Sequence, residues 1–267
     1  MKTVKFLYAF LFFLLTALPT LCRADDTDLF LVNAAVAQQR PNVLIVLDNT
    51  ANWNQPFTFE KAALVSVVNG LTDQFNVGLM LFTETGNGNP NPDGAYMRYA
   101  IRQMTADANG VLGNKTNLAN LVNGLDILAD KSNGGKAGIT MYEAWQYYAG
   151  LASHAGGPPG ADNGKVKSDD GSVYGGSGAF VAGSGIYNSP KATGCQNNFI
   201  IYISNGPVQD NAADTRDATD KLTAMGGNTN TITIDPNGSQ SNIADEYARF
   251  FATTSGRPAY PISSPIR

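Results

Sequence analysis

The stretch Val43-Leu44-Ile45-Val46-Leu47-Asp48-Asn49-Thr50-Ala51-Asn52-Trp53-Asn54 decides how the rest of the chain is read. Its five leading residues are apolar and mostly branched, without polar alternation, so both faces of the strand they form are expected to be buried. That is the signature of a central strand in a parallel sheet covered by helices. A polar turn follows at once. Ligands of open α/β sheets bind beyond the carboxyl ends of the strands, which puts Asp48, Thr50 and Asn52 on the expected functional rim. Their i, i+2, i+4 spacing lets a tight loop turn a carboxylate, a hydroxyl and an amide oxygen toward one point, a donor set suited to a hard cation such as Mg²⁺. The same residue types also cap helices and close Asx turns, so the spacing alone leaves a structural role open.

The chain opens with Lys2 and Lys5, an apolar run from Phe6 to Leu18, Pro19 and the exit Cys22-Arg23-Ala24. This is the pattern of a secretory signal over residues 1–24, cleaved before Asp25. The run is shorter than the roughly 20 apolar residues that span a bilayer, so no stable membrane span is expected after cleavage. Loss of Lys2, Lys5 and Arg23 takes the formal net charge from −4 to −7. An acidic surface without a Lys/Arg cluster argues against nucleic acid as a partner. Cys195 becomes the sole cysteine, which leaves an absent partner, an intermolecular bridge or a buried thiol open.

Residues 25–40 read as a leader and residues 41–262 as one domain, with a tail at 263–267. Phe59, Ala63, Val67 and Leu71 recur at steps of four beside Leu64 and Val68, and are expected to form the buried stripe of a helix. A strand returns at Phe75 to Thr83, and a loop rich in Gly, Asn and Pro leads to Tyr96–Met104, expected as a half-exposed antiparallel edge strand. Leu118, Leu121, Val122, Leu125 and Leu128 mark a second helix, with Thr116 as its cap. Met141, Ala144, Trp145, Tyr148 and Leu151 mark a third, opened by a Thr140/Glu143 capping box. Residues 153–194 hold eleven glycines and no sustained periodicity. A connection this long inside a compact domain is functional or solvated, and Tyr174, Phe180 and Tyr187 suggest that parts of it dock. Asn198 to Ser204 is another apolar strand ending in a polar turn. A helix with Ala218, Leu222 and Met225 inward, a strand at Thr231 to Ile234, a helix lined by Ile243, Tyr247, Phe250 and Phe251, and a short strand at 260–262 complete the pattern. Strands alternating with helices give an α/β fold, a doubly wound, mostly parallel sheet with one antiparallel edge strand.

Three separated stretches resemble the metal-site segments of the von Willebrand factor type A domain: Val43 to Asn52, the Gly-rich approach to Thr140, and the strand ending Ser204-Asn205-Gly206. The family pattern there is Asp-x-Ser-x-Ser, a later Thr, and Thr-Asp-Gly. The signal, the wording of the first loop and the glycine-rich insertion further resemble the amino-terminal region of PilY-type proteins, which assemble and tip type IV pili. The resemblance implies a von Willebrand factor A-like, Rossmann-like fold and a metal-ion-dependent adhesion site formed by Asp48, Thr50, Asn52, Thr140 and Asn205. In that family a divalent ion, Mg²⁺ or else Mn²⁺ or Ca²⁺, keeps one coordination place open for an acidic side chain of a protein partner. Asn52 replaces a hydroxyl residue of the pattern and Asn205 a carboxylate, leaving Asp48 as the one certain anion. Neutral amide oxygens do little to offset the dehydration of Mg²⁺, so weaker affinity is expected. Asp210 is near enough in sequence to help if its loop bends back.

The resulting expectation is a secreted, noncatalytic protein-binding domain of the periplasm, cell surface or pilus, acting in pilus assembly or adhesion. The alternative is a metal-independent assembly domain that docks through the insertion or the edge strand. A hydrolase is the remote alternative, built on His154 with Ser153 or on Cys195. No Gly-x-Ser-x-Gly elbow or other pattern joins those residues.

Overall fold

The computed structural model describes residues 40–50, 55–83, 93–126, 130–132, 134–155, 178–191, 196–204, 210–231 and 242–253. Within them lie four strands and five helices: β1 (Asn42–Leu47), α1 (Gln55–Gly70), β2 (Asn76–Phe82), β3 (Ala95–Gln103), α2 (Asn114–Gly124), α3 (Ala137–Ala149), β4 (Asn198–Ile203), α4 (Ala212–Ala224) and α5 (Ala244–Thr253). The sheet order is β3-β2-β1-β4. Strand β1 pairs in parallel with β2 and with β4, and β3 runs antiparallel to β2. The fold is therefore α/β around a mixed sheet.

The unbroken apolar run of β1 has a direct cause. Leu44 and Val46 point into a cluster with Ile139, Trp145 and Tyr148 of α3, Leu222 of α4 and Phe250 and Phe251 of α5. Ile45 and Leu47 point the other way, onto Phe57, Leu64 and Val68 of α1 and Leu118 and Val122 of α2. Helices cover both faces, and each fully buried aliphatic or aromatic side chain contributes about 1.5–3 kcal/mol.

Several sequence expectations are corrected by the packing. On α1 the buried residues are Phe57, Leu64 and Val68, whereas Phe59 is 68% and Val67 60% exposed, with Ala63 also exposed. Steps of four overshoot a helix of 3.6 residues per turn by about 40° each, so the 59-63-67 series winds off the core. The working series is 57-61-64-68, in which the Lys61 amine lies 5.9 Å from the Phe57 ring centre. Strand β3 is an antiparallel edge, but its first half is buried on both sides. Ala95, Met97 and Ala100 join one cluster and Tyr96 and Tyr99 the other. Irregular register against β2 around Leu79 breaks the simple alternation.

Helix α2 begins at Asn114 after Gly113, so Thr116 lies inside it rather than capping it. The opening amides are met from the preceding loop: Gly113 N donates to Asp107 Oδ1 and Asn114 N to Thr105 Oγ1. Leu151 follows α3 and is 38% exposed. That helix ends at Gly150, whose φ of 66° is the left-handed conformation a helix terminus commonly takes and only glycine adopts freely.

Two of the aromatics expected to dock, Phe180 and Tyr187, are described and are buried. Phe180 stacks on Tyr187 at 4.5 Å between ring centres, and Tyr187 meets Tyr147 edge-on at 5.4 Å. Leu128, Tyr174, Cys195 and the strands expected at 231–234 and 260–262 lie outside the described residues, apart from Thr231. Among the described residues no helix is long and apolar enough to cross a membrane.

Candidate functional site

Parallel pairing aligns Leu47 with Leu81 and with Ile203, so β1, β2 and β4 deliver their following residues to one end of the sheet. Asp48 is the first residue beyond β1 and is only 4% exposed. Its Oδ2 accepts a 2.9 Å hydrogen bond from Ser204 Oγ, directly after β4, and its Oδ1 accepts from Thr50 N at 3.1 Å. Burial raises the Asp48 carboxyl above its usual range, and the bonds from Ser204 and Thr50 pull it part of the way back.

Asn49 ties the same turn to β2. Its side chain accepts from Phe82 N at 2.8 Å and donates to Phe82 O at 3.2 Å, acting as an added peptide group at the strand end. The segment before α3 joins through Ser132, whose amide donates to Asn49 O and whose hydroxyl donates to Thr83 O at 2.8 Å. Thr50 also bridges Ser132 in a short parallel contact. Loops after β1, after β2 and before α3 are thereby held as one rim.

Helix α3 starts at Ala137, three residues before Thr140, which moves Thr140 into the helix and removes the expected capping box. Gly138 sits where α3 meets α5, and a Cβ there would lie 2.3 Å from Asn242 O. The cap comes from elsewhere in the chain. Asp210 accepts from Ala137 N and Gly138 N, each at 2.8 Å, so its carboxylate closes the positive end of α3 with two charge-assisted bonds. Asp210 itself thus lies at the start of α3. Glu143 instead lies wholly buried and accepts from His154 N, from Ala155 N and from the Tyr187 hydroxyl at 2.5 Å.

Lys136, just before α3, is 1% exposed. Its Nζ donates to Ser132 Oγ at 2.6 Å and to Gly134 O at 2.9 Å. Burial lowers its pKa, opposed by the charges of Asp93, Asp214, Asp210 and Asp48. Asp214 stands in the first turn of α4 behind the Asn211 cap and is pushed up to about 6, by burial first and by Asp93 second. Burial likewise raises Asp93 and Asp210. The negative charge of these four carboxylates favours the ammonium form of the one buried lysine.

Of the five residues expected to bind a metal, Asp48, Thr50 and Thr140 are described, while Asn52 and Asn205 lie outside the described residues. Asp48 and Thr50 share the rim with Ser132, Lys136 and Asp210. Thr140 is fully buried in the first turn of α3, and its Oγ1 meets no hydrogen-bond partner among the described residues. That orphaned oxygen is compatible with a metal ligand. The charge of the five expected ligands favours one less. Asp48 is the one anion of the set, each of its oxygens already accepts a bond, and Lys136 brings positive charge to the same carboxylates. The positive charge of Lys136 acts on Asp48 and would oppose a doubly charged ion beside that carboxylate. These residues fit a divalent ion poorly while the lysine is charged.

Lys136, Asp93 and Asp214 were not singled out from sequence, and Ser204 only as the first residue of the resembled Ser204-Asn205-Gly206 segment. Lys136 reads as an ordinary loop lysine, and only its position immediately ahead of a helix at the rim marks it. His154 lies with its Nε2 3.1 Å from Asp217 Oδ2 and its ring edge-on to Tyr142. Lys221 is 3.5 Å from the other Asp217 oxygen and 5.1 Å from the Tyr142 ring centre. These contacts fasten the turn after α3 to α4.

No known family's sequence profile matches the chain, and no curated protein matches it. Two solved structures of proximal thread matrix protein 1 from the mussel byssus, one in a second crystal form, align with a TM-score of 0.37 at 10% identity. Each alignment covers 71% of this chain and 36% of the mussel protein. This chain therefore spans little more than a third of that structure's length, and a likeness so distant carries no functional argument.

Proposed function

We propose that this chain is a secreted, noncatalytic protein-binding domain of pilus assembly or surface adhesion, with a doubly wound, von Willebrand factor A-like architecture and a glycine-rich insertion at 153–194. The partner meets the rim at the carboxyl ends of β1, β2 and β4. One observation carries this reading: segments far apart in sequence, around 48–50, 132–140 and 204–214, are tied to one another by Ser204 on Asp48, Ser132 on Asn49 and Asp210 on Ala137 and Gly138. Rims of that construction present functional residues from loops on a rigid scaffold.

Two forms of the contact follow from the residues. In the form the resemblance implies, Asp48, Thr50, Asn52, Thr140 and Asn205 hold Mg²⁺, Mn²⁺ or Ca²⁺ toward an acidic side chain of the partner. In the second, favoured by the buried ammonium of Lys136, docking is metal-independent and uses the rim, the insertion or the outer edge of β3.

The test is replacement of the native coding sequence by Asp48→Asn and Thr140→Val forms, with surface pili and adhesion measured at equal secreted protein. Loss of either property supports the reading. Full piliation and adhesion in both variants would remove the rim as the binding surface.

A further inference from the structure

We propose that Lys136 is the resident cation of the rim, its tethered ammonium taking the place that a divalent ion takes in domains of the resembled type. Lysine is almost never fully buried unless it is paired, so this position calls for compensation. It lies 1% exposed immediately ahead of α3, beside helix amides whose partial positive charge disfavours a cation. Burying an ammonium is costly unless opposite charge and hydrogen bonds compensate it. Both are present. Ser132 Oγ and Gly134 O accept from Nζ at 2.6 and 2.9 Å, and the charges of Asp93, Asp214, Asp210 and Asp48 favour the ammonium form.

The anchoring is rigid at each end. Ser132, which receives the ammonium, is bonded to Asn49 O and Thr83 O, so the charge is fixed relative to the ends of β1 and β2. Asp210 is fixed by the two amides that follow Lys136 in the chain. A lysine ammonium is a compact point charge with three donors, which suits it to stand where a small hard cation would. With an internal cation, the rim does not need the anionic ligands that offset the dehydration of a metal.

This inference concerns the charge of the rim and its readouts need no partner, so it fails or stands separately from the protein-docking reading. The experiment is thermal unfolding of the full secreted chain in millimolar MgCl₂, MnCl₂ or CaCl₂ against NaCl of matched ionic strength, for wild type, Lys136→Met and the Lys136→Met/Asp48→Asn double variant. The wild-type Tm is expected to move no further with divalent salt than with NaCl. Lys136→Met is expected to melt lower and to regain several degrees with divalent ion, a gain that Asp48→Asn removes. A saturable divalent stabilisation of the wild type, or a Lys136→Met variant that folds and shows no divalent response, would overturn the inference. Should Lys136→Met not fold, Mn²⁺ titration of the wild type by NMR decides. Unbroadened Gly138 and Thr140 amide signals support the ammonium, and selective broadening refutes it.

Discussion

Asp210→Ala probes the joint on which the rim depends. The carboxylate makes two 2.8 Å bonds to Ala137 N and Gly138 N, and both of those residues are buried. Bonds to a charged acceptor contribute about 1.5–3 kcal/mol each, and stranding a buried donor costs about 1–3 kcal/mol. Against this stand the burial that raises the Asp210 carboxyl and its repulsion from Asp48, both relieved by removal. The balance is a destabilisation of about 2–3 kcal/mol, which for a domain of this size lowers Tm by about 4–12 °C at about 2–4 °C per kcal/mol. Asp210→Asn keeps one acceptor oxygen and is expected to cost about half as much. Urea unfolding followed by far-UV circular dichroism measures both, and amide exchange at Ala137 and Gly138 localises the effect. An Asp210→Ala variant within about 0.5 kcal/mol of wild type, the usual range for a surface change, would refute the claim that this side chain caps α3.

Further outcomes follow from other contacts. At the opposite end of the sheet Asn42, fully buried, bonds Asn198, Pro190, Asn76 and Gln196, so Asn42→Ala is expected to cost about 3 kcal/mol in chemical denaturation, and a loss below about 1 kcal/mol would contradict its role. Tyr187→Phe removes the hydroxyl that donates to buried Glu143 and should cost about 2 kcal/mol, with an unchanged melting curve as the contrary result. On α1, Phe59→Ser is expected to stay within about 0.5 kcal/mol of wild type while Phe57→Ala costs about 3–5 kcal/mol; the reverse order would restore the four-step stripe. Asp214, at about 6 in the folded state, holds its proton more tightly there than in the unfolded chain. Its contribution to stability therefore falls as pH rises from about 4 to about 6 and is constant above. Asp214→Asn is expected to flatten that part of the stability profile, and an unaltered slope would place the titration elsewhere.

The sequence carried the four described strands well because burial on two faces leaves a plain mark. Val43–Leu47 could hardly be read otherwise, and Leu44/Val46 against Ile45/Leu47 shows why polar alternation is missing. The helix of residues 55–70 was legible as a helix but not in its rotation, because Phe59 and Val67 are apolar residues left at the surface. Capping was the least legible feature. Thr140 and Glu143 have the spacing of a local box, yet the amides at the start of α3 are closed by Asp210 from far along the chain, and Glu143 serves His154, Ala155 and Tyr187 instead. The same holds for the rim. Asp48 could be placed from its strand, whereas the role of Lys136 depends on carboxylates that only the fold gathers, and single-residue chemistry does not reveal it.

The most direct test of the account is a double-mutant cycle between Lys136→Met and Asp210→Asn, read as unfolding free energy in metal-free buffer. If the rim is one electrostatic unit centred on the ammonium, the two substitutions are expected to couple by about 1 kcal/mol or more, within the range of residues that share a network. Additivity to within about 0.3 kcal/mol would show two independent sites and contradict it.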